Sequence, residues 1–110
     1  MALNLTSKVC VACEGGIPPF TPEQIEQYKK ELKTPWKIEH DVNLLQEFVF
    51  KDFKEVMMFV NKVAVLAEQE GHHPDIYIFY NKVRLSLSTH AIHGLSENDF
   101  ILAAKIEMLL

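Results

Sequence analysis

The spacing of hydrophobic residues predicts helices in three segments of the chain. The longest covers residues 52–69, and its apolar surface is wider than one side of a small sheet needs. We therefore expect part of this helix to lie in a subunit interface. An earlier helix begins at Thr21, which forms a capping-box-like pattern with Gln24, and the last begins at Ser96, which forms this pattern with Asp99.

Short β-rich runs predict the strands between these helices. They cover residues 36–40, 44–50, 76–80 and 83–89. In the last run apolar and polar residues alternate, so one face of the strand should be buried. By the same alternation His90 should leave the sheet on its polar side, near the end of the strand. We interpret Asn81 and Lys82 as a two-residue hairpin turn between the last two runs.

The order of the elements, α-β-β-α-β-β-α, predicts an α+β fold with an antiparallel sheet covered on one side by helices. A chain of 110 residues is long enough for one domain with a modest core. We place this domain at residues 21–110 and expect residues 1–20 to form a loosely ordered N-terminal arm.

Composition and charge exclude several classes of protein. The net charge of −4 argues against a general nucleic-acid binder, because affinity for polyanions depends on cationic side chains. The apolar runs are too short for a membrane span, and the start of the sequence has no pattern typical of a secretion signal. We therefore expect a cytoplasmic protein that binds neither nucleic acid nor membrane.

The two cysteines, Cys10 and Cys13, form an isolated CxxC pattern in the N-terminal arm. A redox motif should lie beside a βαβ unit, and a zinc site should have a second pair of ligands. The sequence has neither feature, so we expect reduced thiols.

Four of the five histidines lie within residues 68–99. His72 and His73 stand between Gly71, which favours the end of a helix, and Pro74, which disfavours helical backbone before it. They should therefore occupy a bend. The hairpin should bring His90 back beside this bend, so that three imidazoles converge.

Two other interpretations of these histidines remain open. Any single histidine commonly serves only in packing or capping. Histidine is also a common zinc ligand, but the sequence has no HExxH pattern. We expect no metal.

The chain resembles the pterin-4a-carbinolamine dehydratase family in residues spread over about positions 20 to 110. The positions that match the family signature are Glu68, His72, His73, Pro74, Tyr80, His90 and Asp99. The resemblance extends to Trp36 and to the segments at residues 48–56, 89–96 and 98–107. Ala91 stands where many similar chains carry an acidic residue.

This resemblance implies a four-stranded antiparallel sheet with helices on one face, in a dimer or tetramer. It also implies a hydro-lyase that dehydrates 4a-hydroxytetrahydrobiopterin to quinonoid dihydropterin. That reaction recycles the pterin used by aromatic amino acid hydroxylases. It requires acid and base catalysis, for which imidazole is well suited near neutral pH. No cofactor is expected, because the pterin is the substrate.

The resemblance also implies roles for individual residues. His72 and His90 are the candidate acids, while His73 binds the pterin or shares the role of base. The residues expected to line the ring are Gly71, His72, His73, Ser88, Thr89, His90 and Ala91. Glu68 is expected to orient His72, and the other supporting residues are Pro74, Asp99 and Trp36, with core packing the favoured role for Trp36.

A binding protein is the alternative to an enzyme. Some relatives resembling this chain act as dimerisation partners of a transcription factor, and the apolar helices here would suit such a role. Removing the three histidines would abolish turnover in an enzyme but would leave partner binding intact in an interaction protein.

Overall fold

The computed structural model describes residues 3–11 and 17–110. Within these residues, a single sheet of four strands is combined with three α-helices. The elements in chain order are α1 (Pro22–Lys29), β1 (Lys37–Glu39), β2 (Asn43–Val49), α2 (Phe53–Glu70), β3 (Asp75–Ile78), β4 (Lys82–Leu87) and α3 (Glu97–Glu107). Short 3₁₀ turns at Leu5–Ser7 and His90–Ile92 complete the description.

All strand pairs are antiparallel, and the order across the sheet is β1-β2-β4-β3. The alternation along β4 agrees with the sequence, since Val83, Leu85 and Leu87 are fully buried whereas Arg84 is exposed. The predicted α+β class with a four-stranded antiparallel sheet is therefore confirmed.

The hairpin between β3 and β4 differs from its predicted geometry by one residue. Ile78 pairs with Val83, and the Phe79 N–H donates to the Lys82 carbonyl oxygen at 2.9 Å. The turn residues are therefore Tyr80 and Asn81, and the predicted Asn81-Lys82 turn is wrong. Moving the turn by one position shifts the cross-strand partners by two, so each side chain keeps its face.

The core lies between one face of the sheet and the helices. Its large, fully buried side chains include Leu44, Leu85, Leu87, Val56, Val63, Phe100, Leu102 and Ile106, which come from β2, β4, α2 and α3. The opposite face of β2 carries the exposed residues Glu47 and Val49. Packing on one face explains why hydrophobic residues alternate in these strands.

Local sequence signals explain where the helices begin. At α1 the Thr21 hydroxyl and the Gln24 side chain each accept the other's backbone N–H, at 3.3 and 2.9 Å. At α3 the Ser96 hydroxyl accepts from the Asn98 N–H, and the Asp99 carboxylate accepts from the Ser96 N–H. Both predicted capping boxes are present, because these side chains satisfy N–H groups that have no partner within the helix.

The described part of the N-terminal arm contacts the domain. Leu5 is 4% exposed within the core cluster. Lys8 pairs with Glu97 of α3 at 2.9 Å, and the Tyr28 hydroxyl donates to the same carboxylate at 2.8 Å. The division into an arm and a domain at residue 20 stays a prediction. Among residues 3–11 and 17–110, no helix is both long and apolar enough to span a membrane.

Glu70 connects the arm to the ends of two helices. Its carboxylate accepts from the Lys105 ammonium at 2.7 Å and from the Cys10 N–H at 2.9 Å. Burial raises the pKa of this carboxyl, but the two hydrogen bonds and the charge of Lys105 together lower it by more, so that the net pKa lies below its ordinary value. The ionised form is therefore favoured by folding.

We predict that Glu70 makes part of the protein's stability dependent on acid pH. A carboxyl whose folded pKa is lowered adds stability above its unfolded pKa, and this stability is lost as pH falls through the folded pKa. The Glu70→Gln variant should be less stable at about pH 7, and its stability should decline less steeply below about pH 4.5. Urea midpoints measured at a series of pH values test this. Lys105→Met should flatten the decline in the same way, and parallel profiles of all three proteins would contradict the assignment.

Candidate active site

A cavity of about 410 Å³ lies where the end of α2, the start of β3, the segment after β4 and the start of α3 meet. It is lined by Val11, Gly71, His72, His73, Pro74, Asp75, Ser88, Thr89, His90, Ala91 and Asn98. Three imidazoles, two from adjacent residues and one from a separate segment of the chain, therefore line one space. All the substrate-binding residues expected from the sequence line it, together with Pro74.

The backbone around Gly71 positions the adjacent histidines. Gly71 has a φ of 64°, and both its N–H and that of His72 donate to the Ala67 carbonyl oxygen at the end of α2. A Cβ at position 71 would contact nothing within 4 Å, so the requirement for glycine comes from the left-handed backbone conformation. The chain then enters β3 at Asp75, which leaves His72 and His73 in the predicted bend.

The Asp99 carboxylate holds the His72 ring through a hydrogen bond. The ring Nε2 lies 2.7 Å from Asp99 Oδ1, and the side chains are 12% and 0% exposed. Because a carboxylate only accepts, the proton in this contact resides on Nε2. The other ring nitrogen, Nδ1, is not committed to Asp99 and can donate or accept a proton.

The buried carboxylate of Asp99 has two further donors. Its Oδ2 accepts from the Thr89 hydroxyl at 2.7 Å and from the Ser96 N–H at 3.0 Å. Since the Thr89 proton is directed at Asp99, the Ser96 hydroxyl donates to Thr89 Oγ1 at 2.8 Å. This arrangement satisfies a charge that would be costly to bury alone.

His90 belongs to a closed loop rather than to the end of a strand. β4 ends at Leu87, and His90 begins the 3₁₀ turn His90–Ile92. Thr89 and Gly94 close this loop through a bridge, with the Thr89 N–H donating to the Gly94 carbonyl oxygen at 2.8 Å. The prediction that the strand extends to residue 89 is therefore wrong, although His90 is exposed as its alternation indicated.

Glu68 contacts a different histidine from the one expected. Its carboxylate accepts from Nε2 of His73, with side-chain exposures of 78% and 59%. The helix ends between Glu68 and His72, so the bend replaces the helical spacing that would have brought them together. Such an exposed pair contributes little to stability. Asp99, rather than Glu68, is the carboxylate that holds His72.

Trp36 lies away from the cavity. It is 1% exposed, and its indole N–H donates to the Glu107 carboxylate at 3.0 Å. It therefore belongs to the core, which was the favoured expectation, and does not line the cavity. His40 and His93 are exposed, adopt φ values of 53° and 51°, and do not line the cavity either.

Volume alone does not distinguish this cavity. A concavity of the same size lies beside α1 and is lined by Lys29, Lys30, Lys33 and neighbouring residues. No histidine is among its lining residues. The convergence of imidazoles, not size, marks the histidine cavity as the candidate site.

A model of the family "Pterin 4 alpha carbinolamine dehydratase" matches residues 18–109. The chain belongs to this family. A relative from Alkaliphilus metalliredigens is 45% identical over 104 residues, covering 94% of each chain. One from Nitrosomonas eutropha is 47% identical over 107 residues, covering 97% of this chain and 94% of its own. Both carry pterin-4-alpha-carbinolamine dehydratase as a provisional name, and together with the family they point to a dehydratase.

Solved structures share the fold of this pterin-4-alpha-carbinolamine dehydratase family member. A transcriptional coactivator/pterin dehydratase from Brucella melitensis has a TM-score of 0.77 at 28% identity, covering 83% of this chain and 97% of its own. A pterin dehydratase-like RuBisCO assembly factor of the α-carboxysome has a TM-score of 0.61 at 23% identity, covering 70% and 90%. The second likeness shows the fold alone.

The sequence did not indicate three residues that line the cavity: Val11, Asp75 and Asn98. Asp75 follows the His-His-Pro segment directly, so its proximity could have been inferred from the bend. Val11 and Asn98 are 87 positions apart, and their meeting depends on how the arm packs. No local pattern indicates such a contact.

Cys10 lies beside the cavity but does not line it. Burial, the charge of Glu70 and a hydrogen bond with Glu70 raise the pKa of its thiol to about 12. The thiol is therefore protonated near neutral pH and is a poor nucleophile. Cys13, the other half of the CxxC pattern, lies outside the described residues.

The residues that the structure describes include no group of three or more His, Cys, Asp or Glu side chains arranged to hold a metal ion. The expectations that the site uses no metal and no cofactor stay predictions.

We predict that Asp99 selects the tautomer of His72. In the neutral ring the proton should reside on Nε2, and this preference should weaken in the Asp99→Asn variant because an amide can donate as well as accept. Nitrogen chemical shifts of the His72 ring measure the tautomer. The variant should also lose about 1–3 kcal/mol of unfolding free energy, since the buried donors lose a charged acceptor.

Glu68→Gln is the matched control for this experiment, because it changes the carboxylate beside His73 in the same way at an exposed site. It should change stability by less than about 0.5 kcal/mol. Equal losses in the two variants, or an unchanged tautomer in Asp99→Asn, would count against the proposed function of Asp99.

Proposed function

We propose that this protein is a 4a-hydroxytetrahydrobiopterin dehydratase, which converts the pterin-4a-carbinolamine to quinonoid dihydropterin and water. The observation that carries this proposal is the convergence of His72, His73 and His90 on one cavity in a member of the family. Family membership points to a dehydratase, and these imidazoles are groups that could move the protons of such a reaction.

The reaction needs groups that move protons. One proton is delivered to the hydroxyl on C4a as its bond to carbon breaks, and water leaves. One proton is removed from N5, and its electron pair forms the double bond of the product. The two transfers balance, so the protein must supply one acid and one base near each other.

We assign the acid to His72 or His90. His72 suits precise positioning, because Asp99 fixes its ring through Nε2 and this contact leaves Nδ1 for the substrate. His90 is exposed and also lines the cavity, on a loop that its closing bridge keeps in place. His73, whose Nε2 is bound by Glu68, binds the pterin or shares the role of base. The fixed ring of His72 gives it the strongest pre-organisation for transferring a proton in a defined direction.

The other lining residues bind the substrate in this proposal. Gly71, Ser88 and Ala91 offer backbone groups and a hydroxyl along the wall of the cavity. Thr89 is 3% exposed, and its hydroxyl is occupied by Asp99 and Ser96. We therefore assign Thr89 to holding the site together, with Asp99 and Pro74 as further supporting residues.

In the cell this activity would recycle tetrahydrobiopterin for aromatic amino acid hydroxylases without a cofactor, in the cytoplasm. We further propose that the chain forms a homodimer or homotetramer. Exposed apolar side chains on α2, including Met58 and Val65, support this assembly, since they are 54% and 59% exposed.

The same exposed apolar residues favour a second candidate, a non-catalytic dimerisation or coactivator-type binding protein. In that case the histidines would be dispensable. A variant lacking His72, His73 and His90 would then keep all its partner binding while having no turnover to lose.

We predict that His72→Ala and His90→Ala each reduce kcat/KM for the carbinolamine by about 10²- to 10⁴-fold, the usual contribution of a positioned acid or base. The assay follows loss of enzymatically generated 4a-carbinolamine with and without protein. Thermal unfolding of each variant shows whether the fold is retained.

His93→Asn is the matched control. His93 lies in the same loop as His90 but does not line the cavity, and asparagine tolerates its positive φ. This variant should stay within about twofold of wild type, as usual for a group outside the reaction. Unchanged kcat/KM in both alanine variants would overturn the assigned acids, and no acceleration by the wild-type protein would overturn the proposed activity.

A further inference from the structure

One wall of the histidine cavity comes from outside the part of the chain that matches the family. The family model begins at residue 18, whereas Val11 lies in the N-terminal arm and lines the cavity. None of the signature positions explains this contact. The arm therefore contributes a lining residue that lies outside the span of the family model.

The contact between the arm and the cavity is built from specific hydrogen bonds. The Val11 N–H donates to Asn98 Oδ1 at 3.0 Å, and Asn98 Nδ2 donates to the Val11 carbonyl oxygen at 2.6 Å. This pair of bonds holds both the N–H and the carbonyl group of Val11, much as a neighbouring strand would. One residue earlier, the Cys10 N–H donates to the half-buried Glu70 carboxylate at 2.9 Å.

Asn98 is occupied by this contact. It is 6% exposed, and both the donor and the acceptor of its amide bind the Val11 backbone. Asn98 is therefore a positioning residue for the arm, although it also lines the cavity. A ligand entering on this side meets the arm itself.

The residues that line the cavity differ in exposure, and the exposed ones form its rim. The His72 side chain is 12% exposed, whereas Val11 is 69% exposed. A flat ring that reaches His72 must lie deep, and the groups attached to it must extend toward the rim. Val11 is one of the exposed residues that form this rim.

We propose that Val11 is a specificity-determining residue, held by Asn98, that limits the size of the substituent carried by the bicyclic ring of the substrate. That the substrate carries a bicyclic ring rests on the proposed function. That Val11 of the arm lines the cavity beside the histidines does not depend on it. Bulk at position 11 narrows the rim, and loss of bulk widens it.

The first test measures how far the side chain at position 11 shields the cavity histidines, and it needs no pterin. Diethyl pyrocarbonate modifies accessible imidazoles, and mass spectrometry of peptides gives the rate at His72, His73 and His90. His40, exposed and outside the cavity, is the internal reference. In Val11→Trp the cavity histidines should be modified more slowly, relative to His40, than in the wild-type protein. In Val11→Ala they should be modified faster.

Val9→Trp is the matched control in the full-length protein. Val9 is a valine of the same arm with nearly the same exposure, 67%, but it does not line the cavity. The cavity histidines of the Val9→Trp variant should be modified at the wild-type rate. Both tryptophan variants keep the backbone bonds of the arm, so thermal unfolding should be unchanged in each.

The second test compares carbinolamines with a small and a large substituent on the pterin ring. Val11→Trp should raise KM for the large substrate by about tenfold, the low end of the effect of one misfitting group, with kcat and the small substrate changed by less than about twofold. Val11→Ala should reduce the discrimination between the two substrates.

Different results separate the two ideas. If the wild-type protein shows no dehydration while Val11→Trp still slows the modification, the proposed function is wrong but residue 11 still shields the cavity histidines. If Val11→Trp matches Val9→Trp in modification, or raises KM equally for both substrates, the specificity of Val11 is overturned while the dehydratase activity is untouched.

Discussion

The site depends on one buried carboxylate. Asp99 is completely inaccessible to solvent and accepts hydrogen bonds from His72, Thr89 and Ser96. These donors come from the bend after α2, the segment after β4 and the start of α3. Since a buried charge is tolerated only where its hydrogen bonds are satisfied, the carboxylate holds three separate segments in one arrangement. The capping of α3 and the orientation of the imidazole are consequences of the same contact.

A second carboxylate performs a similar task at the last residue of α2. Glu70 ends α2, and it binds Lys105 near the end of α3 together with the backbone of Cys10. The two helices are therefore connected at two points. Glu70 pairs with Lys105 at one, and His72, which follows α2, binds Asp99 of α3 at the other. Between these points lies the segment of the arm that carries Val11. Several of the elements that line the cavity are thus fixed by hydrogen bonds to a buried or nearly buried group.

The elements that local chemistry controls could be predicted from the sequence. Both capping boxes form as expected, because Thr21 and Ser96 satisfy N–H groups within their own helix turns. The alternation in β4 correctly separated buried from exposed residues. The errors occur where two turn positions compete locally, as at Tyr80-Asn81, or where the chain changes direction, as after Leu87. There, tertiary contacts rather than propensity decide which residue ends the element.

Sequence by itself determined the order of elements, the buried face of the sheet and the histidines worth considering, because spacing and backbone preference are properties of neighbouring residues. Only the tertiary structure decided that Asp99 rather than Glu68 holds His72, and that Val11 meets Asn98 across 87 positions. Hydrogen bonds between distant segments depend on the direction in which each side chain leaves its element. Packing sets that direction, and no local pattern records it.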